Sequence, residues 1–229
     1  MTRGSVKIGR VVSEMDKVRA GMPHADGIGV FLDVYRRVTA LVALRVMDST
    51  FHDPAFTEAL DIEFADLFLD VPEDVAAKRT VSKAWAPLVE RRAVRGILPI
   101  QFALAGMNAH INHDLALAVV ATCAARDVAP DDGSIHRDFE KVNAVLAEVV
   151  RPIRDSFLDE AIVKHGAAVE PLADLVSNFS IDKARDAAWI AALTLWHLRD
   201  IPFLDHAARQ TLACSVGLVS RQLLVRVQL

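Results

Sequence analysis

Cysteine is scarce: Cys123 and Cys214 are the only two in 229 residues. Neither belongs to a Cys-x-x-Cys pair, so a disulfide framework is not expected, and two free thiols fit a reducing compartment. A basic run or stripe is missing too. Lys and Arg number 26 against 30 Asp and Glu, for a formal net charge of -4. Nucleic acid therefore finds no electrostatic footprint, and basic residues spread over most of the chain argue against a membrane-docking face. Met1 to Lys7 hold no apolar core of the signal-peptide kind, which makes the cytoplasm the expected location. Glycine-rich phosphate loops, Gly-x-Ser-x-Gly elbows and His-Glu-x-x-His runs are absent, as are repeats and low-complexity tracts. The longest charge-poor run is broken by Asn108, His110, Asn112, His113 and Asp114. A bilayer span would strand those groups in lipid, so the run is expected to be a buried helix.

What the chain does have is apolar surface, 52% of its residues being hydrophobic. That content implies a large core, an apolar ligand pocket, or an interface such as that of a homodimer. Helical spacing recurs along the chain. Phe31, Val34, Tyr35, Val38, Leu41, Val42 and Val46 predict a helix from Ile28 to Met47. A second runs from Pro54 to Leu69, before a loop at Val71–Asp74. Others are predicted over Thr80–Ala93, Leu98–Arg126, Ile135–Leu158 (kinked at Pro152), Ser177–Arg199 and Leu204–Val225. A short helix around Val11–Ala20 precedes them. Strands would need alternating apolar runs between turn signals, and these are missing. The expected fold is all-α: one domain of about seven or eight helices over residues 28–229, after a partly irregular segment 1–27.

Between Gly96 and Ala125 the groups able to carry charge are His110, His113 and Asp114. Burying such groups is costly unless they are paired, hydrogen-bonded or bound to a metal. On an α-helix of about 3.6 residues per turn, Leu104, Met107, Ile111, Leu115 and Ala118 form the apolar arc. His110 and Asp114 lie one turn apart on one shoulder, where residues four apart face each other. Asn108 and Asn112 pair in the same way on the opposite shoulder. His113 falls on the far side and is expected to face solvent or an interface. Two roles fit His110 and Asp114. Asp114 can orient His110 as a general acid or base, or both can ligate a divalent ion such as Zn, Fe, Mn or Mg with help from other helices. The bland alternative is a buried pair that only fixes packing.

A second polar face lies further along. Asn178, Asp182, Arg185, Trp189 and Trp196 share one side of a helix, with Asp186 at its edge. In the bland account Ser177 or Ser180 caps this helix, Asp182 favours its first turn and Arg185 pairs with a carboxylate. In the functional account this face meets His110 and Asp114 across a pocket. Arg185 then holds an anionic group, or Asp182 and Asp186 supply metal ligands. Tyr35, Asp61, Asp138 and Asn143 are smaller candidates. Tyr35 sits on an apolar stripe, where core packing is the default, and Asp138 is expected to begin its own helix as a cap or dipole partner.

Several of these stretches occur together elsewhere. Tyr35-Arg36-Arg37-Val38-Thr39, Gly106-Met107-Asn108-Ala109-His110-Ile111-Asn112 with Asp114-Leu115, and Asn178-Phe179-Ser180-Ile181 with Ala184 to Trp189 resemble an uncharacterised bacterial family of domains of unknown function. That family is marked by a Met-Asn-Ala-His-Ile-Asn-x-Asp-Leu motif. The resemblance spans about Phe31 to Trp196. It implies that the positions of His110 and Asp114 recur while that of His113 varies, and that a basic residue often stands where this chain has Asp182. It carries no activity to transfer.

The expected function is an enzyme with a pocket between helices. His110 and Asp114 are its catalytic candidates. Asn108, Asn112, Asn178, Arg185, Trp189 and Tyr35 are its substrate-binding candidates, and His110, Asp114 and Asp186 its metal candidates. The expected substrate is small and largely apolar with a polar head, and the chemistry that of a hydrolase, lyase or cyclase. A non-catalytic helical ligand-binding or interaction module is the alternative.

Overall fold

The computed structural model describes residues 3–46, 51–143, 146, 152, 155–156, 163 and 179–226. Among these residues all regular structure is helical. Helix α1 (Arg3–Ala20) and α2 (Gly27–Val46) lie against each other, with Met15 of α1 fully buried. The first helix thus starts well before the predicted Val11. Asp26 opens α2: its carboxylate accepts from the N–H groups of Ile28 at 2.9 Å and Gly29 at 3.3 Å and pairs with Arg92.

Helix α3 (Pro54–Ala76) begins on Asp53, whose side chain accepts from the Phe56 N–H, the expected use of a capping carboxylate. It does not stop at the predicted loop. Val71 and Pro72 are buried within it, so core burial outweighs the amide that proline removes. The stretch predicted as helix from Thr80 to Ala93 is helical only as α4 (Ala86–Arg91). Upstream, the Ser82 hydroxyl accepts from the Ala84 N–H, a local bond that competes with helix formation and turns Trp85 inward.

The predicted long helix is continuous but not uniform. It comprises α5 (Pro99–Ala109), a π-helical turn (His110–Asp114) and α6 (Leu115–Ala125). In the π turn the Leu115 N–H bonds back five residues to the His110 carbonyl, one residue more than an α turn holds. This turn joins two cores. One gathers Phe31, Phe68, Trp85, Phe102 and Leu104 around α5; the other gathers Phe56, Leu115, Val119, Phe139 and Trp189 around α6.

Helix α7 (133–143) is the described part of the predicted Ile135–Leu158 run; most of the remainder lies outside the described residues. Helix α8 (Ile181–Leu198) is capped by Ser180, whose hydroxyl accepts from the Lys183 N–H. Helix α9 (Pro202–Leu223) packs on α5, and Gln101 closes that contact. Its amide donates to the carbonyls of Leu223 at 2.7 Å and Val225 at 2.8 Å.

Candidate functional site

The π turn gathers more than the predicted pair. The Asp114 carboxylate accepts from His110 Nδ1 at 3.1 Å, from His113 Nδ1 at 2.7 Å and from Trp85 Nε1 at 2.9 Å. The expectation that His113 faces solvent is therefore corrected: the residue is only 6% exposed, and its Nε2 meets the Ser82 hydroxyl at 3.4 Å. The wider turn is the physical reason. An extra residue per turn reduces the angle between successive side chains, so a wheel drawn for an α-helix misplaces His113.

Electrostatics sort these groups. Burial pushes the Asp114 carboxyl up, but the hydrogen bonds from His110 and His113 outweigh it and hold the group below the usual carboxylate range. Burial lowers the His110 imidazole against the raising effect of Asp114. His110 is thus neutral, with the Nδ1 proton donated to Asp114 and the Nε2 lone pair left over. That Nε2 is buried and, among the described residues, has no hydrogen-bond partner.

The His110 ring is held on several sides. It stacks on Phe64 with centroids 3.6 Å apart and planes 5° from parallel. The Tyr35 ring meets it edge-on at 4.4 Å, and Phe31 does so at 5.8 Å. Gly106, one turn earlier, makes this possible: a Cβ there would stand 2.2 Å from Cγ of Phe31.

His110 lines a cavity of about 60 Å³ with Phe31, Tyr35, Met107, Ile181 and Arg185 among its walls. A second cavity of about 80 Å³ shares Tyr35, Val38, Phe64, Leu146 and Arg185 with the first and adds Asp61, Thr39 and Phe139. These shared walls make the two neighbouring chambers. Burial raises the Tyr35 phenol well above its ordinary range, with the charge of Asp61 acting in the same direction. Burial also lifts the Asp61 carboxyl to about 7, although the Arg185 charge opposes it.

Arg185 is buried and reaches both chambers. Its Nη2 donates to the Phe139 carbonyl at 2.8 Å, its Nε to Asn143 Oδ1, and its guanidinium lies 4.0 Å over the Phe139 ring. Burial lowers its pKa to about 10, against the charge of Asp61. Of the face expected to meet His110 and Asp114, Arg185 lines a chamber with His110; Asp182, Trp189 and Trp196 line neither chamber, nor does Asp114.

Other predicted site residues lie elsewhere. Asn108 and Asn112 do not line either chamber. Asn108 Nδ2 donates to the Val216 carbonyl and to Ser220 Oγ, both at 2.9 Å, and its Oδ1 accepts from Asn112 Nδ2 at 3.1 Å. Their shoulder of the helix faces α9, so these amides tie helices together. Trp189 packs in the second core beside His136 and Phe139, each ring 4.7 Å away. Asp186 and Asp182 are exposed on α8, so the expected set of His110, Asp114 and Asp186 does not assemble. Among the described residues no group of three or more His, Cys, Asp or Glu side chains is placed to hold a metal ion. Asn178 lies outside the described residues. Asp138, expected to begin its own helix as a cap or dipole partner, instead accepts from the N–H groups of His52 at 2.9 Å and Asp53 at 2.7 Å, ahead of α3.

Sequence reasoning did not foresee Trp85, Phe64 or Ser82. Trp85 left one usable signal: a buried indole N–H needs an acceptor. Among the described residues no helix is long and apolar enough to cross a membrane. Compared with known proteins, the model of a family of unknown function, DUF5995, matches residues 8–226. No curated protein and no solved structure matches.

Proposed function

The chain belongs to the DUF5995 family, which is of unknown function, and we propose from its own geometry that it is an enzyme using His110 as a general acid and base on a small, largely apolar substrate. One observation carries this reading: a neutral imidazole, oriented through Nδ1 by a buried carboxylate, keeps a buried Nε2 that has no partner among the described residues, and lines an apolar chamber. A polar atom left without a partner in the interior is costly unless something binds it.

The division of labour follows from the bonds. Nε2 takes a proton from the substrate or from a water molecule. The imidazolium that forms sits against the ionised Asp114, which offsets its charge. His113 and Trp85 hold that carboxylate still. Apolar walls exclude bulk water and strengthen each charge interaction. Arg185 and Tyr35 meet the polar part of the substrate, and Phe31, Phe64 and Val38 its apolar body. Hydrolytic, lyase and cyclase reactions all fit this set.

The three donors on Asp114 also support the alternative, in which the cluster only specifies packing. His110→Phe separates the two readings, since it keeps the stacked ring and removes Nε2. The enzyme reading expects His110→Phe and His110→Ala to lower turnover by about 10²- to 10⁴-fold, the usual worth of general acid–base catalysis. Retention of turnover in both variants would leave the packing reading. The free thiols of Cys123 and Cys214 support a cytoplasmic site of action. A homodimer would use the exposed Phe203, Leu218 and Val219 of α9, and sedimentation measures it.

A further inference from the structure

The chamber opposite His110 has its own unexplained pair. Arg185 is buried, yet among the described residues its polar contacts are an amide oxygen and a backbone carbonyl, with no carboxylate in ion-pair contact. A buried cation without a directly paired anion is unusual. Asp61 lines the same chamber, and among the described residues its carboxyl has no hydrogen-bond partner. It feels Arg185 only through charge.

We propose that Arg185 and Asp61 form the head-group site for a small apolar monocarboxylic acid, Arg185 pairing the ligand carboxylate and the Asp61 carboxyl sharing a proton with it. This rests on the enzyme reading above and names the substrate class for it. The chemistry decides among head groups. A cationic amine would enter beside the Arg185 guanidinium. A neutral head would leave that guanidinium without its anion. A carboxylate supplies the anion, and Asp61 stops competing with it by holding one proton, drawn where needed from the buffer acid. The Asp61 O–H forms as the buffer acid's own bond to that proton breaks, and no other bond changes on binding. The charged or titratable groups around Asp61 are Arg185 from α8, Glu58 from its own helix, Asp138 from α7 and the Tyr35 phenol from α2. Asp138 already accepts two backbone N–H groups and the Lys141 ammonium, and burial together with the charge of Glu58 favours a proton on Asp61.

Size narrows the class. An apolar cavity of about 150 Å³ holds one benzene ring. Neighbouring chambers of about 80 and 60 Å³ restrict the ligand's apolar part to about one ring or a short chain, as in benzoate or hexanoate.

Calorimetric titration of the full chain with benzoate, hexanoate, benzylamine and benzamide at pH 6 and pH 8 tests this. The carboxylates are expected to bind, about tenfold more tightly at pH 6, with proton uptake seen as a buffer-dependent heat; the amine and amide are not. Asp61→Asn should bind benzoate equally at both pH values, and Arg185→Gln should lose at least tenfold in affinity. Should Arg185→Gln fail to fold, the Asp61→Asn pH profile decides. Preference for the amine or amide, or carboxylate binding with neither pH dependence nor proton uptake, overturns the proposal. His110→Ala keeps the two readings apart. Benzoate binding to that variant with turnover unchanged sinks the enzyme reading and keeps the head-group site. His110-dependent turnover without carboxylate binding does the reverse.

Discussion

At the scale of single residues, Asp114 is the most committed group in the protein. It takes three buried hydrogen bonds from Trp85, His110 and His113. Asp114→Asn puts an amide N–H₂ against groups that already donate. We expect it to cost about 1–3 kcal/mol, the range for leaving a buried partner unsatisfied, read as a lower urea midpoint. Asp61 behaves in the opposite sense with pH. Its carboxyl keeps its proton up to about 7 in the folded chain against an ordinary value of 3.8. The folded state therefore binds more protons across that interval. The contribution is whole below 3.8 and is lost as pH rises through 7. Thermal melts should show Asp61→Asn gaining on the parent protein from pH 5 to pH 8. His110, lowered from 6.5, runs the other way: its contribution is present above 6.5 and is lost as pH falls through its folded value. At saturating substrate, a His110-dependent kcat should accordingly keep its plateau down to pH 6.5 and fall only below it.

At the scale of elements, the π turn explains why a helical wheel succeeded in part. The His110–Asp114 pair is local, four residues apart, and legible in the spacing. His113 was not, because the change from α to π pitch leaves no mark in the apolar pattern. The turn is also a test. Deleting Asn112 removes the extra residue while α5 and α6 keep their registers against the two cores. The chain is then expected to stay helical by circular dichroism, melt at lower temperature and lose turnover, because His110 and His113 no longer share Asp114. Gly106→Ala probes the same element from its other face. A Cβ 2.2 Å from Phe31 Cγ cannot be absorbed by the far end of a side chain. Overpacking of this kind costs about 1–3 kcal/mol, and the displaced Phe31 would disturb the His110 ring it touches. The failures at Val71–Asp74 and Thr80–Ala93 share one cause. Tertiary burial carried α3 through Pro72, and the inward turn of Trp85 delayed the next helix to Ala86, where propensity alone would begin it at Thr80.

At the scale of the whole molecule, the last helix is tied to the site helix through buried amides. Gln101 accepts from the Leu98 N–H at 2.9 Å and donates to Leu223 and Val225, while Asn108 holds Val216 and Ser220. Gln101→Ala strands one N–H and two carbonyls. It should lower stability by about 1–3 kcal/mol and raise amide hydrogen exchange first at the end of α9. These ties engage the amides of Asn108 and Asn112. Their shoulder was readable from the sequence; which helix would cover it was not.

The sequence by itself determined that the regular structure of the described residues is helical, that an imidazole and a carboxylate face each other in an apolar segment, and that a buried helix rather than a membrane span carries them. Those properties depend on periodicity and on residues a few positions apart. Only the tertiary structure decided that Trp85 and His113 complete the carboxylate cluster, that Phe64 backs the imidazole, and that Asp61 and Arg185 share a chamber. Each of these joins residues distant in the chain, or depends on a helix pitch set by packing, and no local pattern encodes which faces of separate helices will meet.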